Sequence, residues 1–197
     1  MRLNKILIAT HNPGKFKILK DKLSSLGIEI LSLNDLDIKD DFEEIGNSFE
    51  DIALGKARFY YNLSKIPTLA DDSGLSVDAL NGEPGTNSRT WLGYRASDEE
   101  LLEMLLDRLR GVVDKERTAT FVTVVALVNG NEELLGRGEV RGKIGHQAVC
   151  KIEPGLPYST VFYPDGYDRV SAQLSPEEKN IISHRAKALD QIIKKLK

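Results

Sequence analysis

KILIATHNPGKFKIL, residues 5–19, runs from an apolar stretch through a Pro-Gly turn into a helical pattern. Lys5–Thr10 is typical of a buried strand, and Lys15–Leu26 is typical of a helix that Gly27 closes. The apolar residues of this helix recur on one face: Phe16, Leu19, Leu23 and Leu26. A strand that leads directly into an amphipathic helix is the building unit of an α/β sheet, so this segment predicts that fold class.

The remainder of the chain repeats this alternation of strand-like and helical segments. We expect a second helix from the capping pair Asn47 and Glu50, and a third from Ser97 and Glu100 through Leu109. The expected strands are Ile28–Leu33, two strands joined by a turn within IPTLADDSGLSVDAL (66–80), TATFVTVVALV (118–128) and the hairpin segment GNEELLGRGEVRGKIG (130–145). The pattern predicts a mixed α/β domain built around a long sheet.

Composition limits the classes of protein to which the chain can belong. A length of 197 residues with 41% hydrophobic residues fits one domain with a sizeable core, which we expect to span residues 1–197. The net charge of −3 argues against a surface coated in basic residues, so we expect no nucleic-acid partner. The single cysteine, Cys150, indicates a reducing compartment, and no apolar run approaches the ~18 residues of a membrane helix. We therefore expect a cytoplasmic protein with no membrane partner.

The turn between the first strand and the first helix is suited to binding an anion. A helix N-terminus presents free backbone N–H groups and a partial positive charge. Asn12 could donate from its side chain, and Lys15 could add a full charge against a phosphate. The alternative is an ordinary strand-to-helix connection whose lysine faces water. Neither G-x-x-x-x-G-K-[ST] nor G-x-G-x-x-G is present.

Asp71 and Asp72 are candidates for acid–base chemistry. They follow an apolar run and precede Ser73 and Gly74, where we expect the chain to turn, so the two carboxylates would lie at a strand end. Adjacent aspartates repel each other unless a cation or a shared proton offsets their charge. The alternative is a turn in which Asp71 caps backbone N–H groups.

A second acidic group lies in DDFEEIG (40–46). Its residues Glu43 and Glu44 come shortly before the helix that bears Lys56, so a carboxylate-rich pocket with one lysine is possible. Such oxygen ligands suit Mg²⁺, which usually takes one or two carboxylates and completes its shell with water and substrate phosphates. The alternative is that these glutamates are solvated loop charges.

The segment SPEEKNIISHRAKAL (175–189) predicts a last helix that begins at Ser175. Lys179, His184 and Arg185 would gather in its early turns as three hydrogen-bond donors. Taken separately, the lysine and the arginine could be surface charges and the histidine a structural residue.

Four segments occur in the order and spacing of one family: ATHNPGK, EEIGNSFEDIALGKA, LADDSGLSVDALNGEPG and SPEEKNIISHRAKAL. Over nearly its whole length the chain resembles the inosine-triphosphate pyrophosphatase family, also called Ham1-like. The resemblance implies Mg²⁺-dependent hydrolysis of ITP, dITP or XTP to the monophosphate and pyrophosphate by a homodimeric cytoplasmic enzyme that cleanses the nucleotide pool. It also implies an elongated two-lobed α/β fold with a long central mixed β-sheet flanked by helices and a nucleotide cleft between the lobes.

The resemblance assigns roles residue by residue. Asp72 matches the general base and a metal-side carboxylate, and one of Glu43 and Glu44, with Glu44 favoured, matches the metal-binding glutamate. The residues that match contacts to the substrate are Thr10, His11, Asn12, Pro13, Gly14, Lys15 and Lys56 for the phosphates, Ser73, and Lys179, His184 and Arg185 for nucleobase and phosphate.

Two segments depart from the family pattern. The family usually has Gly-Phe-Gly-Tyr-Asp-Pro against the base, where this chain has GLPYSTVF (155–162). The loop that would face the base here consists of Leu156, Pro157, Tyr158 and Ser159. The family's Tyr-Ser-Ala-Arg pattern survives in PGTNSRTW (84–91) as Ser88, with Arg89 one position early. We therefore expect a weaker preference for inosine and xanthosine triphosphates than the family pattern implies.

Two functions from other classes remain open at this point. A Maf-like pyrophosphatase acting on modified pyrimidine nucleotides would share the two-lobed architecture but carry a more basic N-terminal turn. A nucleotide-binding regulator without catalysis would explain the altered loop, although the acidic residues expected for Mg²⁺ are all in place.

Overall fold

A computed structural model describes residues 3–44, 46 and 48–196 of the protein. The strands are β1 (Lys5–Ile8), β2 (Glu29–Ser32), β3 (Thr68–Val77), β4 (Thr118–Asn129), β5 (Glu132–Ile144) and β6 (Phe162–Pro164). The α-helices are α1 (Pro13–Leu23), α2 (Phe49–Ser64), α3 (Asp98–Arg108), α4 (Pro176–Ile182) and α5 (His184–Leu196). None of the described helices combines the length and apolar character needed to cross a membrane.

The six strands form one mixed sheet in the order β2-β1-β3-β4-β5-β6. Strand β1 pairs in parallel with β2 and β3, whereas β5 and β6 are antiparallel. The predicted α/β class with a mixed sheet flanked by helices is therefore confirmed.

Helices pack on both faces of the sheet. Side chains alternate along each strand, so successive apolar residues are buried against different helices. Ile6 and Ile8 belong to one buried cluster with residues of α1 and α5, while Leu7 and Ala9 belong to another with residues of α2. In β3 the same alternation assigns Leu69 to the α1 and α5 cluster and Ala70 to the α2 cluster. By the same alternation, the next two residues of β3, Asp71 and Asp72, should face different helical layers.

The chain divides into two compact units. The first contains residues 1–72, 123–138 and 184–197, and the second contains residues 73–122 and 139–183. The second unit has its own apolar cluster, which includes Leu101 and Leu105 of α3. The predicted single functional domain over residues 1–197 stays a prediction.

A buried arginine ties segments of the second unit together. The Arg117 guanidinium donates hydrogen bonds to the carbonyl oxygens of Leu109, Ile144 and Gly145 at 2.7–2.9 Å. Burial lowers the pKa of Arg117, while the charge of Asp114 opposes that effect. The side chain therefore acts as a shared donor for the end of α3 and the end of β5.

The segment around the two aspartates is one continuous strand, so the predicted turn at Ser73 and Gly74 is wrong. A Cβ at position 74 would lie 2.0 Å from the carbonyl oxygen of Gly85 and 2.5 Å from Oγ of Ser88. The glycine is thus needed for close approach of another backbone segment and not for a change of direction. Asp71 and Asp72 consequently lie inside β3 and not at a strand end.

The helix ends agree with the predicted caps at two places and differ at others. The capping box of α3 (Ser97 with Glu100) is confirmed, and so is the predicted helix start at Ser175, whose side chain forms a capping box with Glu178 of α4. At α2 the cap is Ser48, and the predicted cap Asn47 lies outside the described residues.

Helix α1 begins two residues earlier than predicted, because Asn12 caps it and Pro13 suits the first helical position. Its predicted last turn is a separate 3₁₀ segment, Ser24–Leu26, and Gly27 follows with a positive φ of 65° as expected.

The predicted last helix is two helices, because the backbone of Ser183 leaves the helical region with φ −54° and ψ 112°. Lys179 therefore belongs to α4, whereas His184 and Arg185 open α5. A Cβ at Gly138 of β5 would lie 1.9 Å from the carbonyl oxygen of His184. The first turn of α5 thus rests directly on the backbone of β5, which fixes where the second helix begins.

Candidate functional site

The turn before α1 is a structured helix cap. The side-chain oxygen of Asn12 accepts hydrogen bonds from the backbone N–H groups of Gly14 (2.9 Å) and Lys15 (3.1 Å). Oγ1 of Thr10 accepts from the N–H of Asn12 at 3.1 Å. The Asn12 oxygen is therefore engaged in the cap, and its side-chain NH₂ group is what it can offer to an anion. The turn holds Lys15 in the first turn of α1, where the helix dipole adds to the lysine charge.

Asp71 forms an ion pair with Lys15. Nζ of Lys15 lies 3.0 Å from Oδ2 of Asp71, whose side chain is 2% exposed. Burial alone would raise the pKa of Asp71, but the positive charges of Lys15, Arg185 and Lys56 together lower it to about 2. Asp71 is therefore a permanent anion that orients Lys15.

Asp72 has the opposite electrostatic behaviour, although it is the next residue of the same strand. Burial, together with the negative charges of Glu44 and Asp71, raises the pKa of Asp72 to about 6 against the attraction of Lys56 and Lys15. Its Oδ2 atom is buried and has no hydrogen-bond partner among the described residues. The strand alternation explains the contrast, because Asp71 meets the charges of α1 and α5 while Asp72 faces the α2 side.

Lys56 of α2 connects the acidic loop to this strand. Its Nζ donates to a carboxylate oxygen of Glu44 in a close ion pair. Burial would lower the pKa of Lys56, but Glu44, Asp71 and Asp72 raise it, so the lysine stays charged. Glu43 and Glu44 are both exposed, and Glu44 is the one that pairs with the lysine. Which of the two glutamates binds a metal stays a prediction.

His184 and Arg185 enter the same unit from the start of α5. Nδ1 of His184 lies 2.6 Å from Oγ1 of Thr123 in β4. Burial and the charge of Arg185 hold the pKa of His184 well below its ordinary value of 6.5. Burial also lowers the pKa of Arg185, against the attraction of Asp71, and its Nε has no hydrogen-bond partner within the described part of the chain.

Sequence reasoning missed Thr123 and the role of Asp71. A threonine among the valines of TVVALV is a visible signal for the first, since its hydroxyl needs a partner when buried. His11, predicted among the phosphate contacts, lies near the hydroxyl of Tyr60 (3.4 Å) and the carbonyl oxygen of Asp40 (3.3 Å).

The loop predicted to face the base is partly built into the second unit. Tyr158 is 4% exposed and its hydroxyl donates to the carbonyl oxygen of Ser88 at 3.1 Å. The Ser159 hydroxyl donates to the carbonyl oxygen of Leu156 at 2.7 Å, while Leu156 itself is 39% exposed. The family pattern has a phenylalanine and an aspartate in this loop, which are absent here. The Tyr158 ring and the Ser159 hydroxyl, which could have replaced them, are engaged within the protein.

Asp98 links the two segments that depart from the family pattern. Its carboxylate accepts from Nη1 of Arg89 (2.5 Å) and from the backbone N–H of Gly155 (2.7 Å).

Two further residues predicted to contact the substrate are Lys179 and Ser73. Nζ of Lys179 lies 3.3 Å from the carbonyl oxygen of Ala172, and Ser73 follows Asp72 in β3. Whether these side chains contact a substrate stays a prediction.

The carboxylates of the first unit suit a divalent cation that takes only one or two ligands from the protein. Among the described residues no group of three or more His, Cys, Asp or Glu side chains is arranged to hold a metal. Mg²⁺ needs only one or two carboxylates when water and phosphates complete its shell. The unpartnered buried oxygen of Asp72 beside Glu44 fits that requirement.

Comparison with known proteins decides the family. A sequence model of the Ham1 family matches residues 6–195. The chain belongs to the Ham1 family. Within that family it is similar to the Ham1 protein of Staphylococcus aureus, with a TM-score of 0.86 and 35% identity over 98% of this chain and 97% of that one. It is also similar to a Ham1 protein from Coxiella burnetii, with a TM-score of 0.87 and 34% identity over 100% and 98% of the two chains.

Relatives with a named activity are similar over nearly the whole length. A protein of Caldanaerobacter subterraneus subsp. tengcongensis, named dITP/XTP pyrophosphatase, is 41% identical over 98% of both chains. A protein of Thermoanaerobacter pseudethanolicus with the same name is 44% identical over 94% of this chain and 92% of its own. The predicted Ham1-like resemblance is therefore confirmed.

Proposed function

We propose that this chain hydrolyses non-standard purine nucleoside triphosphates, namely ITP, dITP and XTP, to the monophosphate and pyrophosphate. The observation that carries the proposal is the buried Asp72 carboxylate, whose pKa is raised to about 6 between two lysines. A base is most efficient when its pKa lies near the working pH. The name dITP/XTP pyrophosphatase, borne by relatives about 40% identical, supports the choice of substrate.

The lysines and the α1 turn would bind the phosphates. Lys15 is held by Asp71 at the N-terminus of α1, where the helix dipole adds to its charge. Lys56 remains charged and is positioned by Glu44. Two cations that are fixed before the substrate arrives can stabilise the charge that develops on a departing pyrophosphate without reorganisation.

Asp72 would act on the attacking water. Its carboxylate is largely ionised above pH 6, and its Oδ2 can accept the proton that water gives up as it attacks phosphorus. Asp72 and Glu44 would hold Mg²⁺, which when bound supplies neutralisation of the phosphate charge. Asp71, whose pKa is about 2, stays an anion throughout and keeps Lys15 in place.

The finer features of the proposal rest on the family resemblance. We propose a homodimer in the cytoplasm, acting as one functional domain over residues 1–197, with Lys179, His184 and Arg185 donating to the nucleotide. The buried Tyr158 and the engaged Ser159 hydroxyl leave Leu156 as the exposed side chain of the altered loop. Leucine lacks the π face that contributes stacking of roughly 1–3 kcal/mol per base, so we expect weak selection among purines.

Pyrophosphate release from ITP, dITP, XTP, GTP and ATP tests the proposal, with Mg²⁺ and with EDTA. We expect turnover of the first three, and we expect chelation to abolish it. Hydrogen bonding built into a site can give a preference of ~10⁴-fold, and because the altered loop departs from the family pattern, we expect the preference for ITP over GTP to stay below roughly 10³-fold. Asp72→Asn should reduce turnover by roughly 10²-fold or more. Binding of ITP without turnover would indicate a regulator, and activity confined to modified pyrimidine nucleotides would favour the Maf-like alternative.

A further inference from the structure

Thr123 is a polar residue at the most buried part of β4. Its side chain is 0% exposed and its neighbours Val122, Val124 and Val125 are also buried. Burying a hydroxyl is unfavourable unless a hydrogen bond compensates. A valine would fill the same space without that cost, so the partner of this hydroxyl explains what the threonine does here.

The partner is His184. Oγ1 of Thr123 lies 2.6 Å from Nδ1 of His184, and among the described residues this is the one hydrogen bond of the hydroxyl. A hydroxyl has a single O–H donor. That donor is satisfied only if the hydroxyl donates to Nδ1, because an accepting hydroxyl would leave its own proton buried without an acceptor.

The protonation state of His184 follows from its surroundings. Burial and the positive charges of Arg185, Lys15 and Lys187 lower its pKa far below 6.5, against the attraction of Asp71, so the ring is neutral at neutral pH. A neutral imidazole carries one proton, and if Nδ1 accepts a hydrogen bond the proton is on Nε2. The ring is also attached to a fixed backbone, since the first turn of α5 rests on Gly138.

We propose that Thr123 is a positioning residue, which holds the imidazole of His184 in one orientation and in the Nε2–H form so that it donates to an acceptor oxygen of the nucleotide. The oxygen is either a carbonyl of the base or a phosphate oxygen, because both are acceptors of the same kind. This inference rests on the proposed function for its substrate, but the link between Thr123 and His184 can be measured without one.

Isosteric variants separate the hydroxyl from the shape of the side chain. Thr123→Val removes the hydroxyl and should raise KM about 10-fold, which is the scale of one hydrogen bond, while kcat changes little. Thr123→Ser keeps the hydroxyl and should restore KM. Val128→Ala is the matched control, because it removes buried apolar volume from the same strand without removing a hydroxyl and should leave KM unchanged.

The increase in KM caused by Thr123→Val should depend on the presence of His184. In a His184→Gln background, Thr123→Val is expected to add no further change in KM. An equal KM rise with and without the histidine would overturn the proposal, as would a KM for Thr123→Val equal to that of the unmodified protein. Thr123→Ala provides the same comparison if the valine variant does not fold.

Nitrogen-15 NMR of the imidazole rings reports the tautomer directly, without nucleotide. The chain has three histidines, so the His184 signals are assigned as those missing in His184→Gln. We expect the protein and Thr123→Ser to show Nε2–H alone, and Thr123→Val to show a mixture or a shifted Nδ1 resonance. A predominant Nδ1–H form in the unmodified protein, or spectra that Thr123→Val leaves unchanged, would overturn the assignment.

Comparison of substrates identifies the acceptor oxygen. A KM rise in Thr123→Val that is equal for ITP and ATP supports a phosphate oxygen, and a rise confined to ITP supports the base carbonyl, which adenine lacks. If the unmodified protein released no pyrophosphate from any triphosphate, the proposed function would fail while the NMR result still decided the Thr123–His184 link.

Discussion

Replacing Asp72 by asparagine is expected to stabilise the metal-free protein at pH 8, even though it removes the proposed base. The carboxylate is buried and its pKa is raised from 3.8 to about 6. Ionising it in the folded protein therefore costs more than ionising it in the unfolded chain. Asparagine has nearly the same shape and carries no charge, so it removes that cost.

The magnitude follows from the two pKa values. Below pH 3.8 the carboxyl is protonated in both states and contributes no difference. Between pH 3.8 and about 6 the unfolded chain releases its proton while the folded protein retains it, so stability falls as the pH rises. Above pH 6 the loss is complete at about 3 kcal/mol, since each unit of pKa difference corresponds to about 1.4 kcal/mol.

Urea unfolding in EDTA at pH 4 and at pH 8 measures this difference. Asp72→Asn should exceed the unmodified protein by only about 0.5 kcal/mol at pH 4 and by up to about 3 kcal/mol at pH 8, the latter about 6–12 °C in Tm for a chain of this size. Asp71→Asn is the matched control on the same strand. Because the pKa of Asp71 is lowered to about 2, that variant should lose about 2 kcal/mol at pH 8.

At pH 8 the two variants should change the free energy of unfolding in opposite directions, which makes their comparison a strict test. The Asp71 contribution is present above pH 3.8 and disappears as the pH falls through about 2, whereas the Asp72 penalty is absent at low pH and complete above pH 6. Destabilisation of Asp72→Asn at pH 8, or equal effects of the two variants, would show that burial does not dominate at Asp72 and would refute this reasoning.

Three further predictions concern other parts of the chain. Lys15→Ala should raise KM for ITP, XTP, GTP and ATP by a similar factor, because Lys15 acts on phosphates; steady-state kinetics that showed an effect on one base only would contradict this. Gly74→Ala should destabilise the protein by about 2 kcal/mol or more, since its Cβ would meet the Gly85 carbonyl oxygen at 2.0 Å; urea unfolding with an unchanged midpoint would argue against that contact. Arg117→Ala should lower the unfolding free energy by about 3 kcal/mol by removing its hydrogen bonds to three carbonyl oxygens, of which that of Leu109 keeps the N–H of Val112, and thermal melting checks it against the exposed-site control Arg110→Ala.

The parts of the fold that depend on near neighbours in the chain could be predicted from the sequence. Apolar periodicity identified β1, α1 and the long strand β4, and the capping box at Ser97 and the helix start at Ser175 were confirmed. These signals involve residues at most four positions apart, so their energetics are local. The family resemblance likewise came from four short segments in order.

The sequence by itself determined which residues carry chemistry, but only the tertiary structure decided how each one behaves. Asp71 and Asp72 are the same side chain in adjacent positions, and their pKa values separate because β3 turns one toward Lys15 and Arg185 and the other toward Glu44. Gly74 resembles a turn residue until Gly85 is seen against it. Thr123 meets His184 across 61 positions of chain. Burial and charge act through space, so residues far apart in sequence set these properties, and no local pattern records which of them will meet.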